Sequence, residues 1–212
     1  MTQVRTGRRK YYDIFSHFYD AFIRMHSRRD EDDTRSFLVG SALLENKEVP
    51  RILDICCGTG SVILAFEESY PQSVAIGYDF SPGMLRKALE KNITGRVIFV
   101  EGDAADLPFA NDSFDVVTCS HALYELKGQT RKKALREMQR VVHPDGRVLL
   151  MEHEIPKHPV IKLLFYIRML SMGSKDAREF LKGGDEHLKS IFTSVSLSHS
   201  RSGKSKLMSC RK

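Results

Sequence analysis

Short apolar runs recur along this chain, with stretches of helical period between them. The clearest is Ile52-Leu53-Asp54-Ile55, which leads through a glycine-bearing turn into Ser61-Val-Ile-Leu-Ala-Phe66. An apolar run, a tight turn and a 3.6-residue period predict a buried strand, a loop and a helix to about Ser69. The alternation repeats. Strands are predicted over 73–79, 96–101, 114–119 and 147–152, and helices from Pro82 and over 130–142. Ser81 is placed to cap the helix that Pro82 opens, and His143-Pro144-Asp145-Gly146 is expected to break the helix over 130–142. Repeated β–α units with right-handed crossovers give a parallel sheet covered on both faces, the doubly wound α/β class.

The two ends follow other patterns. Tyr12, Phe15, Phe18, Tyr19 and Phe22 recur at helical spacing, Tyr12-Asp13 is echoed by Tyr19-Asp20, and a second helix is expected over 32–44. After the fifth strand, 159–172 is apolar nearly all round, which suits a helix buried on the domain or covering an apolar substrate. A polar helix over 175–190 follows, and loose alternation over 193–200 and 205–210 suggests a terminal β-hairpin.

In a sheet of this class, ligands bind at the carboxyl ends of the strands, near the point where strand order reverses. Asp54, Asp79, Asp103, Ser120-His121 and Glu152-His153 all fall at those ends. Gly58 and Gly60 permit close backbone approach, and the first N–H groups of the next helix favour a carboxylate or phosphate. Asp54 is placed to receive a cationic group. Asp79, ending the second strand, is placed to accept both hydroxyls of a ribose. These residues alone suit a nucleoside of either a dinucleotide or S-adenosylmethionine.

Composition narrows the partners. The 212 residues carry 33 Lys and Arg against 27 Asp and Glu, a net charge of +6. Nine of the basic residues lie in 1–10 and 201–212, which hold no acid, leaving 24 basic against 27 acidic residues between them. That mildly acidic body speaks against nucleic acid; the basic ends allow at most weak contact with an anionic membrane surface. Cys56, Cys57, Cys119 and Cys210 form no metal or redox spacing, so free thiols in a reducing cytoplasm are expected, with no metal. No signal segment or membrane-length apolar run is expected. Monomer and homodimer both stay open.

From Tyr11 to Pro156 the chain resembles the class I S-adenosylmethionine-dependent methyltransferases, most of all the group of ubiquinone/menaquinone-biosynthesis C-methyltransferases. The motifs are Tyr12-Asp13 with Tyr19-Asp20, Leu53-Asp54-Ile-Cys-Cys-Gly-Thr-Gly60, Gly77-Tyr-Asp79-Phe-Ser-Pro-Gly-Met84-Leu85, Gly102-Asp103-Ala104 with Leu107-Pro108-Phe109, Ser113-Phe114-Asp115, and Arg140-Val-Val-His-Pro-Asp-Gly146. The resemblance implies a Rossmann-like, seven-stranded, mostly parallel sheet. The hairpin over 191–212 would form an antiparallel edge. It further implies one domain over 11–212, with a helical cap over 11–45, a cofactor core over 51–152 and substrate-side helices over 153–190, preceded by a flexible basic tail over 1–10.

The cofactor implied is S-adenosylmethionine. Carried over residue by residue, Asp54, Gly58, Thr59 and Gly60 would hold its methionine part, Asp79 the ribose, and Asp103 the adenine amino group. Phe80, Met84 and Ala104 would pack on adenine, Ser120 would approach through its backbone, and Tyr12 and Tyr19 would close over the top. The expected activity is methyl transfer to a small, partly apolar acceptor such as a quinol or lipid-like molecule. If the acceptor must lose a proton, His121, Tyr124, Glu125 and His153 are the candidate bases. A non-catalytic cofactor-binding protein is the alternative, ahead of an NAD-dependent oxidoreductase, which would want glycines where Cys56 and Ile63 stand. The chain departs from the group at Cys56, where a loop glycine is usual, at Asp145-Gly146, and at Tyr124-Glu125, where quinone enzymes commonly carry Arg-Asn.

Overall fold

The computed structural model describes residues 12, 13, 16, 30–155, 158, 159, 163, 166 and 187–212. Helix α1 runs Asp30–Gly40, ending short of the expected Leu44; a turn follows, and Leu44 is buried beneath it. The β–α alternation is as the pattern predicts: β1 Arg51–Ile55, α2 Ser61–Ser69, β2 Val74–Asp79, α3 Pro82–Lys91, β3 Ile98–Glu101, β4 Phe114–Ser120. A short 3-10 turn, Leu123–Glu125, precedes α4 Gly128–Val141, and β5 Val142–His153, β6 Ser194–His199 and β7 Ser205–Arg211 complete the order.

The seven strands form one sheet in the order β3-β2-β1-β4-β5-β7-β6. Strand order reverses between β1 and β4, which run parallel, so the switch point lies where their carboxyl ends meet. Neighbours from β3 to β5 pair in parallel, whereas β7 is antiparallel to both β5 and β6. The terminal hairpin thus makes the antiparallel edge that the resemblance implies. β7 is inserted inside the sheet, and the outermost strand, β6, runs the same way as the parallel strands. Burial distinguishes the two: β7 is covered through Leu207, Met208 and Cys210, while β6 stays open to water.

Helix α4 ends at Val141, just before His143–Gly146, as expected, but β5 already begins at Val142 and contains that segment. Val142 pairs with Phe114 and Arg147 with Val116, so β5 takes up the extra residues as a bulge and goes on. Side chains alternate between two cores. Ile52, Val116, Leu149 and Met151 point to the face covered by α1 and α2; Leu53, Val117, Cys119 and Leu150 point to the face covered by α4 and Leu188. No helix of the described residues is long and apolar enough to cross a membrane. The basic tail over 1–10, most of the aromatic segment including Tyr19, and most of 153–190 lie outside the described residues; Tyr12, Asp13 and Ser16 are helical.

Candidate functional site

The loop after β1 is held by backbone geometry. Cys56 has φ 58°, Gly58 φ 55° and Gly60 φ 78°, all in the left-handed region. For Cys56 that conformation costs about 1 kcal/mol, which is the physical reason a glycine is usual there. A Cβ at Gly60 would stand 3.0 Å from Ala88 and Phe99, so the loop can lie on α3 and β3 only without one. At Gly58 nothing would meet it within 4 Å: the space in front of that residue is open. Gly60 caps α2 without any side-chain hydrogen bond, so the first N–H groups of the helix have no side-chain cap.

Three carboxylates organise this half of the rim. Asp54 is 2 % exposed, and burial, with the nearby Asp79, raises its pKa well above the ordinary carboxylate range. Asp79 accepts the Gly58 N–H with Oδ2 and the Ser81 N–H with Oδ1, both at 2.9 Å, tying the first loop to the second. Burial pushes it up to about 6 against the pull of these amides. Asp13, which the sequence reading did not single out as a site residue, accepts the Ser81 hydroxyl at 2.7 Å and the Gly83 N–H at 3.0 Å. A Cβ at Gly83 would stand 2.7 Å from Asp13 Cα, so only glycine lets the N-terminal segment seat on α3.

Tyr12 then bridges the two halves. Its ring meets Phe80 edge-on at 5.8 Å, and its hydroxyl donates to Glu125 Oε2 beyond β4. Asp103 caps its own turn, accepting the Ala105 N–H at 3.0 Å, and Ala104 and Met84 are both buried. Thr59 is turned differently: it is buried, and its hydroxyl takes the Lys91 ammonium at 2.8 Å.

On the other half, Ser120 ends β4 and its hydroxyl lies 3.0 Å from His121 Nδ1, while Ser205 of β7 lies 3.1 Å from His121 Nε2. Enclosure by protein lowers the His121 pKa to about 4, so the ring is neutral at pH 7. It lies against His153, 4.3 Å between centroids with the rings tilted by 37°, and His153 in turn lies 5.9 Å from Tyr124, itself buried in the core. All four candidate bases thus share one corner, but His121 has both nitrogens engaged by serines. Sequence reasoning missed Arg131, which looks like a surface cation on a helix yet is buried, and gave Glu152, wholly buried at the end of β5, no task. Among the described residues no His, Cys, Asp or Glu group could hold a metal ion, and all four cysteines are free.

An open space before Gly58, uncapped helix N–H groups and a buried acid fit a zwitterionic ligand: carboxylate to the amides, ammonium to Asp54. Comparison with known proteins agrees. A methyltransferase domain model matches residues 52–146, from β1 to the bulge of β5. The ubiquinone/menaquinone biosynthesis C-methyltransferase of Geotalea daltonii is 33 % identical over 168 residues, 76 % of this chain and 69 % of that protein. The demethylmenaquinone methyltransferase of Lactobacillus johnsonii is 36 % identical over 52 % of this chain, which spans only 47 % of that relative. A chain from the complex between the Haloferax volcanii Trm112 methyltransferase activator and a methyltransferase shares the fold, with TM-score 0.72 at 17 % identity over 94 % of this chain and 96 % of that one. With a relative one-third identical across most of its length, and the matched domain spanning the loops just described, the protein belongs to the class I S-adenosylmethionine-dependent methyltransferases.

Proposed function

We propose that the protein methylates a small, partly apolar acceptor of the quinol type, with Asp54, Gly58 and Gly60 holding the methionine part of the cofactor, Asp79 the ribose, and Asp103, Phe80, Met84 and Ala104 the adenine. The observation that carries the cofactor assignment is a buried Asp54 beside a loop whose open side faces Gly58. The names of the Geotalea and Lactobacillus relatives support the acceptor class. Bound S-adenosylmethionine supplies a methyl group already activated by its sulfonium.

The chain's own residues then have to orient the acceptor, exclude water and receive a proton. Tyr12, latched to Glu125, closes the crevice between the two halves of the rim. Since His121 is saturated by Ser120 and Ser205, we assign the base role to His153, whose ring His121 supports. The imidazole nitrogen that carries no proton can take the one that a quinol acceptor gives up as its ring carbon forms the new bond to methyl.

Two measurements test this. Asp54→Asn is expected to weaken S-adenosylmethionine by roughly 10- to 100-fold in calorimetry, since a charge-assisted hydrogen bond contributes about 1.5–3 kcal/mol. Incubating the protein with labelled cofactor and a soluble 1,4-naphthohydroquinone should give a C-methylated product by mass spectrometry. Tight cofactor binding with no methylated naphtho- or benzohydroquinone would remove the quinol reading, and unchanged affinity in Asp54→Asn would remove the Asp54 assignment.

A further inference from the structure

Glu152 is the penultimate residue of β5, wholly buried, and none of the roles above uses it. Its Oε1 accepts the Tyr124 N–H at 3.2 Å, and the Leu123 amide points at the same carboxyl. Its Oε2 is buried with no hydrogen-bond partner. On the far side of the same two peptides, Arg131 of α4 donates from Nε to Leu123 O at 3.0 Å and from its terminal nitrogen to Tyr124 O at 3.2 Å. The 3-10 turn is therefore clasped by a buried acid on its N–H side and a buried cation on its carbonyl side. That turn carries Tyr124, whose ring faces His153, and Glu125, which receives the Tyr12 hydroxyl.

A turn of three residues has too few bonds of its own to hold a side chain in place. Fixing it from two buried side chains is costly unless the placement matters, because an unpartnered carboxyl oxygen in the interior is unfavourable. We propose that Glu152 is a positioning residue for the acceptor side of the site: it sets the Leu123–Glu125 turn, and through it Tyr124, Glu125 and the Tyr12 latch, without itself touching cofactor or acceptor. The inference rests on the methyl-transfer reading above.

The chemistry of the group gives it a signature. The charged and titratable groups set against Glu152 are Arg131 from α4, Glu125 from the turn and Cys119 from β4, with His153 next in the chain. Burial outweighs the amides and Arg131 and pushes the carboxyl up to about 8, so near pH 7 it is neutral and behaves as a carbonyl acceptor with an O–H beside it. Glutamine reproduces that state; leucine keeps the volume and loses the acceptor. Above pH 8 the wild-type group ionises and its buried Oε2 must draw in water, which loosens the turn.

The test compares E152Q and E152L with wild type by two independent readouts. In hydrogen exchange followed by NMR, the Tyr124 amide should stay protected in E152Q and exchange at least 100-fold faster in E152L. In turnover of 1,4-naphthohydroquinone, E152L should lose at least tenfold in kcat with the KM for S-adenosylmethionine within threefold. E152Q should recover kcat at pH 7 and lack the fall above pH 8 that wild type shows. Retained protection and kcat in E152L, or an E152Q as impaired as E152L, would overturn the proposal. If E152L does not fold, identical pH profiles for wild type and E152Q overturn it instead. If wild type methylates no hydroquinone, the acceptor reading fails alone, and the exchange measurement still decides Glu152.

Discussion

The two halves of the rim use buried acids differently. On the β1–β2 half, Asp79 has both oxygens on backbone amides, 2.9 Å from Gly58 and Ser81, and its pKa is pushed up only to about 6. On the β4–β5 half, Glu152 has one oxygen on the turn and one without a partner, and its pKa is pushed up to about 8. The first acid is ionised at pH 7 and the second is not. An acid held on both oxygens by backbone amides keeps its charge, whereas one left with an unpartnered oxygen in the interior keeps its proton.

The largest expected effect separates the two acids by their proton linkage. A carboxyl held at about 8 in the fold and 4.5 when unfolded keeps its proton longer in the native state, so stability falls as pH rises through that window. Relative to E152Q, which cannot titrate, the wild type should lose on the order of 3 to 4 kcal/mol between pH 5 and pH 8. Urea melts of both proteins at the two pH values measure it. Parallel curves would mean that Glu152 is ionised throughout, and the contrast between the halves would collapse.

Asp79 should show itself in affinity. Protonating either oxygen sets an O–H against the amide of Gly58 or Ser81, so the first loop is released as pH falls through about 6. Between pH 7 and pH 5 the affinity for S-adenosylmethionine should drop about tenfold, or 1.4 kcal/mol. Asp54 titrates in the same direction, and Asp79 itself raises it. The informative quantity is therefore the part of the slope that disappears in Asp79→Asn, a variant that mimics the protonated acid and should bind weakly at both pH values. An Asp79→Asn slope as steep as wild type would remove Asp79 as the group that titrates.

What the sequence made legible follows the same division. The strand–loop–helix pattern, the Gly58–Gly60 turn and Asp79 could be read because strand period and glycine chemistry are local. The order of β7 and β6 could not, since both alternate and only their burial in the sheet tells them apart. His121 read as a base because it ends a strand; its saturation depends on Ser205, 84 residues away. Arg131 and Glu152 were opaque for the same reason: the clasp exists only after α4 packs across the end of β5. Asp13 does have a local signal, the Tyr-Asp repeat, but its partners Ser81 and Gly83 lie about 70 residues on.

The smallest expected effect concerns the residue that joins the halves. Tyr12 touches the first through its ring, 5.8 Å from Phe80, and the second through its hydroxyl on Glu125. Tyr12→Phe removes only the hydroxyl, in a partly buried place where water can replace part of it, so the loss should be about 0.5–1.5 kcal/mol. Asp13 still holds the segment to Ser81 and Gly83, so the cofactor side should keep its equilibrium affinity nearly unchanged. The change should fall on the rate at which the crevice opens. Labelled S-adenosylmethionine should dissociate a few-fold faster from Tyr12→Phe, and Glu125→Leu should give the same acceleration, because it removes the other end of the same bond. The double variant should be no faster than either single one, as two partners of one hydrogen bond are not additive. Additive acceleration would mean that Tyr12 and Glu125 act on the two halves independently, and that nothing ties the cofactor side to the acceptor side at this point.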